Sequence, residues 1–276
     1  MLLERFKFLW NSGLDYYKDA RTIHDLDAPF VFNLSSSIYN KPWHSIPDKD
    51  IENRRMVLQK DLTHLDRKDY GQGSRRTQAM NSVSEFVSSS SISPYYGRIL
   101  HSLVKYFKPR QILELGSAAG ISGAYLASAA PAGTLTTIEG DPVVARLAQT
   151  TFDQLHLNNI NLISHDFESS LPGILASSRF SFVYIDGDHH SKALTAYVDQ
   201  IYQALSPGIA IIVLDDIRWN EDMYLTWKKL SGDTRWQLSI DLLRIGLLIK
   251  NPNLLQHRHY KLIETFLKPW RIGLFR

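Results

Sequence analysis

The chain has 276 residues, 44% of them hydrophobic, a formal net charge of +3 and no cysteine. That length and apolar share support one sizeable core with an appended cap. The missing cysteine excludes a disulfide framework, a thiolate zinc site and a cysteine nucleophile, and fits a reducing cytoplasm. So small a positive charge is far from the signature of an obligate nucleic-acid binder, and no nucleic-acid partner is expected.

From Met1 to Trp10 charged residues interrupt the apolar ones, so the segment lacks the apolar run of a signal peptide. No run anywhere is long enough to span a membrane. Residues 1–84 read as a helical cap, with a charged, helix-compatible stretch from Asp48 to Lys68. That stretch lies between His24-Asp-Leu-Asp-Ala-Pro-Phe30 and Asp69-Tyr-Gly-Gln-Gly-Ser-Arg75. The glycines of the second segment suit a lid or a plain turn.

Residues 85–250 read as the main domain, in which short β-rich runs alternate with helical patterns. Gln111–Leu115 is predicted as the first strand and Ile121–Ala130 as its helix. Thr134–Ile138 follows as the second strand. Asp141 caps the next helix, with Pro142 in its first turn. Ile160–Ile163 and Phe180–Ile185 are the third and fourth strands. A helix over Ser191–Leu205 stops at Pro207-Gly208, and Ile209–Leu214 is apolar enough to be a strand buried on both faces. Trp236–Ile240 and Arg244–Ile249 are too close together to enclose a helix and read as a hairpin. The predicted fold is therefore α/β: a doubly wound, Rossmann-like seven-stranded sheet of five parallel strands and a C-terminal antiparallel hairpin, with the helical cap N-terminal to it. Residues 251–276 form a basic, aromatic tail that suits packing or a homodimer contact.

The turn after the first strand is Glu114-Leu-Gly-Ser-Ala-Ala-Gly120. A dinucleotide fingerprint needs three closely spaced glycines so that pyrophosphate can sit on the helix N-terminus. This turn has only Gly116 and Gly120, and it places the carboxylate of Glu114 at the strand end, where it would repel phosphate. A ligand with a cationic amino group and no phosphate suits it better, and S-adenosylmethionine is such a ligand. Glu139, at the end of the second strand, can accept from ribose hydroxyls. Asp166 and Phe167 follow the third strand, where the acid can accept from an adenine amino group and the ring can pack on the base. Taken alone, Glu139 fits a helix-dipole acid and Asp166 a helix N-cap equally well.

Leu113-Glu-Leu-Gly-Ser-Ala-Ala-Gly120, Ile138-Glu-Gly-Asp141 and the terminal hairpin resemble the class I S-adenosylmethionine-dependent methyltransferases. That resemblance adds Ser117 and Gly140 to the cofactor-binding set. Tyr184-Ile-Asp-Gly-Asp-His189 and Leu214-Asp-Asp-Ile217 resemble the branch of O-methyltransferases related to the catechol and caffeoyl-coenzyme A enzymes. It implies a divalent cation such as Mg²⁺ held by Asp186, Asp215 and Asp216, and a base at His189, with Asp186 and His189 also near the cofactor. Two positions depart from that pattern: Asp216 stands where asparagine is usual, and His189 where lysine is usual. The N-terminal His24 and Asp69–Arg75 segments resemble a bacterial subgroup of the same class.

The reading reached is S-adenosylmethionine-dependent O-methylation of a small-molecule hydroxyl, with metal-assisted and side-chain-base routes both open. An RNA or protein acceptor, or a non-catalytic S-adenosylmethionine-binding protein, are the alternatives.

Overall fold

The structure is a computed structural model that describes residues 2–39, 49–67, 82–187 and 190–272. Its helices are α1 (Leu2–Asp19), α2 (Pro29–Tyr39), α3 (Lys49–Leu58), α4 (Val83–Ser90) and α5 (Pro94–Phe107), then α6 (Ile121–Ala129), α7 (Pro142–Gln154), α8 (Phe167–Ser177), α9 (Ser191–Gln203) and α10 (Glu221–Ser231). Its strands are β1 (Gln111–Leu115), β2 (Thr134–Glu139), β3 (Ile160–Ser164), β4 (Phe182–Ile185), β5 (Ala210–Leu214), β6 (Leu238–Leu242), β7 (Ile245–Lys250) and β8 (Arg258–Lys261). The chain divides into two units. One is Pro42–Asp188 with Asp199–Ser206; the other is Met1–Lys41 with His189–Val198 and Pro207–Arg276.

The first unit carries parallel strands in the order β3-β2-β1-β4. Leu115 lies opposite both Ile138 and Ile185, and Glu139 lies opposite Ser164. The carboxyl ends of these strands therefore share one edge, which is where open α/β sheets bind ligands. β1 is buried from Ile112 to Leu115, and α6 is buried on nearly every side. Gly97 of α5 lets Tyr125 of α6 lie close: a Cβ there would sit 2.4 Å from the ring. The Tyr125 hydroxyl donates to Glu52 Oε1 at 2.8 Å, and Arg55 forks onto the same carboxylate, which fastens α3 to α6. Asp141 caps α7 with Pro142 in its first turn, as the sequence suggests.

The second unit carries strands in the order β5-β7-β6-β8. β5 with β7 and β7 with β6 are antiparallel, while β6 with β8 is parallel. The described strands number eight, not the expected seven; the extra one is β8, within the tail. Arg258-His-Tyr-Lys261 has one buried residue, Tyr260, so it carries no hydrophobic alternation to announce a strand. Ladder hydrogen bonds along the edge of β6 make it one. Trp227 of α10 packs on Gly246 of β7, where a Cβ would meet its ring at 2.5 Å. In this unit Tyr16, Ala20 and Ile263 form a small core cluster. Among the described residues no helix is long and apolar enough to cross a membrane.

Candidate active site

The turn after β1 is built from left-handed residues: Gly116 (φ 98°), Ala118 (φ 45°) and Gly120 (φ 81°). Glycine is required at Gly116 twice over, because a Cβ there would also approach the Asp186 backbone to 3.1 Å. The amides of Gly116 and Ser117 both donate to Ile138 O, at 3.0 and 3.3 Å. The hydroxyls of Ser117 and Thr137 are 2.6 Å apart, and Ala118 N donates to Glu139 Oε2 at 3.0 Å. β2 thus pins the turn from one side, with the Glu139 carboxylate against its crest.

Two carboxyls flank this turn. Glu114 is fully buried; its Oε2 accepts from Thr137 Oγ1 at 2.6 Å, and its Oε1 has no hydrogen-bond partner among the described residues. Burial pushes the Glu114 carboxyl up to about 7, against the opposing effect of the nearby Ser122 and Thr137 hydroxyls and with a small push from Glu139. Glu139 accepts from Ala118 N through Oε2 and from Asp141 N through Oε1, the latter at 3.1 Å. Burial raises its carboxyl to about 7 as well, although these backbone donors pull the other way. Gly140 is half-buried between Glu139 and the cap of α7.

Asp166 is the N-cap of α8: its Oδ1 accepts from Ser169 N at 2.9 Å, and His165 Nδ1 lies 2.9 Å from its Oδ2. Hydrogen bonds from Ser169 draw this carboxyl down to about 2, so it is ionised. Phe167, the first residue of α8, faces Gly187, where a Cβ would lie 2.5 Å from the ring. Asp186 is half-buried at the end of β4, and its amide donates to Leu115 O at 3.0 Å. The structure thus brings Glu114, Gly116, Ser117, Gly120, Glu139, Gly140, Asp166, Phe167 and Asp186 to one sheet edge of one unit. His189 lies outside the described residues, as does the Asp69–Arg75 segment.

Asp215 and Asp216 follow β5 in the other unit. Arg244 grips Asp215 with a two-pronged fork, Nε to Oδ1 at 2.8 Å and Nη2 to Oδ2 at 3.0 Å. Its Nε is also 3.1 Å from Asp216 Oδ1. Sequence reasoning missed Arg244. The signal was faint: one arginine near Asp241 in a largely apolar hairpin, with its partner Asp215 29 residues away. Thr137 and Ser122, which sit on Glu114, were also missed, because a threonine in a strand and a serine in a helix look like ordinary packing. Among the described residues no three His, Asp or Glu side chains converge to hold a metal ion.

Residues 113–217 match the family described as a methyltransferase domain. A catechol O-methyltransferase of Niastella koreensis is 31% identical over 145 residues, 51% of this chain and 65% of that protein. The chain therefore spans less than two thirds of that curated relative's length. An O-methyltransferase of Bacillus cereus in complex with S-adenosylhomocysteine superposes with a TM-score of 0.52 at 21% identity, over 59% of this chain and 84% of that one. An S-adenosylhomocysteine-bound methyltransferase of Podospora anserina reaches 0.57 at 14% identity, over 83% of this chain and 97% of that one. These likenesses establish a shared Rossmann-like fold.

Proposed function

We propose that this chain, whose residues 113–217 match a methyltransferase domain, is of the class I S-adenosylmethionine-dependent type and methylates the hydroxyl of a small-molecule acceptor. The observation that carries the reading is the pair of carboxyls, fully buried Glu114 and half-buried Glu139, set against the Gly116–Gly120 turn. In their ionised form these two groups would repel phosphate. A ligand with an ammonium, a sulfonium and ribose hydroxyls would meet acceptors instead. The hydrogen-bond partner missing from Glu114 Oε1 fits a site that takes a donor or a positive charge nearby.

In this reading Glu139 holds the ribose hydroxyls, since each carboxylate oxygen can accept more than the one backbone bond it has here. Gly116, Ser117, Gly120 and Gly140 admit the cofactor close to the backbone, and Asp186 receives its methionine end. Asp166 and Phe167 flank the adenine, with the capping oxygen of Asp166 already committed to Ser169. S-adenosylmethionine supplies a methyl group activated by its sulfonium. The protein's part is to align the acceptor oxygen with that methyl and keep it there. His189 accepts the proton that a hydroxyl acceptor must shed, and an imidazole is partly neutral near pH 7. The catechol O-methyltransferase relative supports oxygen as the methylated atom.

The test is transfer of a labelled methyl from S-adenosylmethionine to a panel of catechols and simple phenols. His189→Ala is expected to lower turnover by about 100-fold. Cofactor binding without transfer to any hydroxyl would leave a binding protein, or an enzyme for another acceptor class.

A further inference from the structure

We infer that Asp215 and Asp216 form no divalent-metal site in this chain, because Arg244 is the cation resident on them. Asp215 Oδ1 accepts from Asp216 N at 2.7 Å and Arg244 Nε at 2.8 Å, and Oδ2 accepts from Arg244 Nη2 at 3.0 Å. The Asp215 side chain is 0% exposed, so no space beside it admits the water shell that Mg²⁺ keeps in most protein sites. Asp216 shares the same guanidinium nitrogen at 3.1 Å. A dication approaching either carboxylate would meet the guanidinium charge at contact distance.

The fork is held in place from behind. Ile217 N donates to Arg244 O at 3.0 Å, which ties the hairpin backbone to the segment following β5. A second fork runs in the opposite sense: Arg218, three residues after Asp215, grips Asp241 of the hairpin through Nη1 and Nη2 at 2.8 and 2.7 Å. Its Nη1 also donates to Leu243 O at 2.6 Å, and Leu243 N donates to Asp241 Oδ1 at 2.9 Å, which closes the turn that carries Arg244. Each segment thus sends an arginine to the other's aspartate. Asp216 adopts a left-handed φ of 49° and Leu243 one of 72°, unusual conformations for residues other than glycine, and both lie within this lock.

The exclusion of metal stands on this geometry alone. Its consequence, that methyl transfer here runs without a divalent cation, rests also on the methyltransferase reading. Titration of the whole protein with Mn²⁺, followed by electron paramagnetic resonance, tests the exclusion. The wild type is expected to bind no Mn²⁺ that Asp215→Asn removes. Arg244→Gln, which uncovers the carboxylates, is expected to bind Mn²⁺ at least tenfold more tightly than the wild type, and Arg244→Gln with Asp215→Asn is expected to lose that gain. A wild-type site lost in Asp215→Asn would overturn the proposal, as would an Arg244→Gln protein that gains no Mn²⁺ binding. Circular dichroism confirms that each variant is folded, and Arg244→Lys, which keeps the charge, is expected to stay free of Mn²⁺. S-adenosylhomocysteine binding in the same samples reports on the cofactor reading separately.

Discussion

The acidic strand ends of the two units look alike in sequence and differ in chemistry. At the ends of β1 and β2, fully buried Glu114 and half-buried Glu139 have backbone and hydroxyl donors but no cation among the described residues, and both carboxyls are pushed up to about 7. After β5, Asp215 and Asp216 lie on a guanidinium. A buried carboxyl without a cation is prepared for a ligand that brings donors or positive charge. One already held by an arginine is structure. Acidity at a strand end therefore does not mark a ligand site; what matters is whether the protein has already supplied the counter-charge.

The contrast can be broken at the saturated end first. Asp241→Ala would strand the Arg218 guanidinium, which is buried between the rings of Tyr16 and Tyr224 at 5.3 and 4.8 Å, and is expected to cost about 3–5 kcal/mol. Urea denaturation measures it, and a loss under about 1 kcal/mol would mean the lock contributes little. Asp215→Asn is expected to cost about 2–3 kcal/mol, less because Arg244 keeps partial access to water. Glu114→Gln should cost under about 1 kcal/mol at pH 6, where a carboxyl that titrates near 7 is mostly protonated and so close to an amide in charge.

The sign of the pH dependence sharpens the same comparison. Glu114 and Glu139 titrate near 4.5 in an ordinary environment and near 7 when folded. Between those values the folded protein holds protons that the unfolded chain has released. Their contribution to stability is complete below about pH 4.5 and is lost as pH rises through 7. Thermal melts should show that fall, and Glu114→Gln should flatten its share. A ligand bringing positive charge favours the ionised carboxyls, so S-adenosylhomocysteine affinity should rise with pH toward 7 and level off above it, with protons released on binding at pH 6. Calorimetry in buffers of different ionisation enthalpy reads that release; proton uptake would contradict the assignment.

The legible parts of the fold were those with local signals. Ala210–Leu214 is an apolar run of strand length, Gln111–Leu115 a strand-length run broken only by Gln111 and Glu114, and Asp141-Pro142 is a helix start written in two residues. β8 was not legible, because its pairing with β6 depends on backbone groups and its side chains are mostly exposed. α8 was hidden behind Pro172, yet its N-cap was visible as Asp166 and had been weighed as a ligand contact too. At the candidate site, sequence order placed Glu114, Gly116, Gly120, Glu139 and Asp166 at successive strand ends, and the register brings those ends to one edge. The partner of Asp215 is a long-range pairing, fixed only when the hairpin folds back beside β5.

The central claim is that the turn between Glu114 and Glu139 binds S-adenosylmethionine. Isothermal titration calorimetry with S-adenosylhomocysteine tests it most directly, on the wild type and on Glu139→Ala, each with and without EDTA. The account predicts saturable one-site binding that EDTA leaves intact and that Glu139→Ala weakens by about 10–100-fold, the loss of hydrogen bonds to a charged group. Absence of binding to the wild type, or binding that Glu139→Ala does not change, would contradict it.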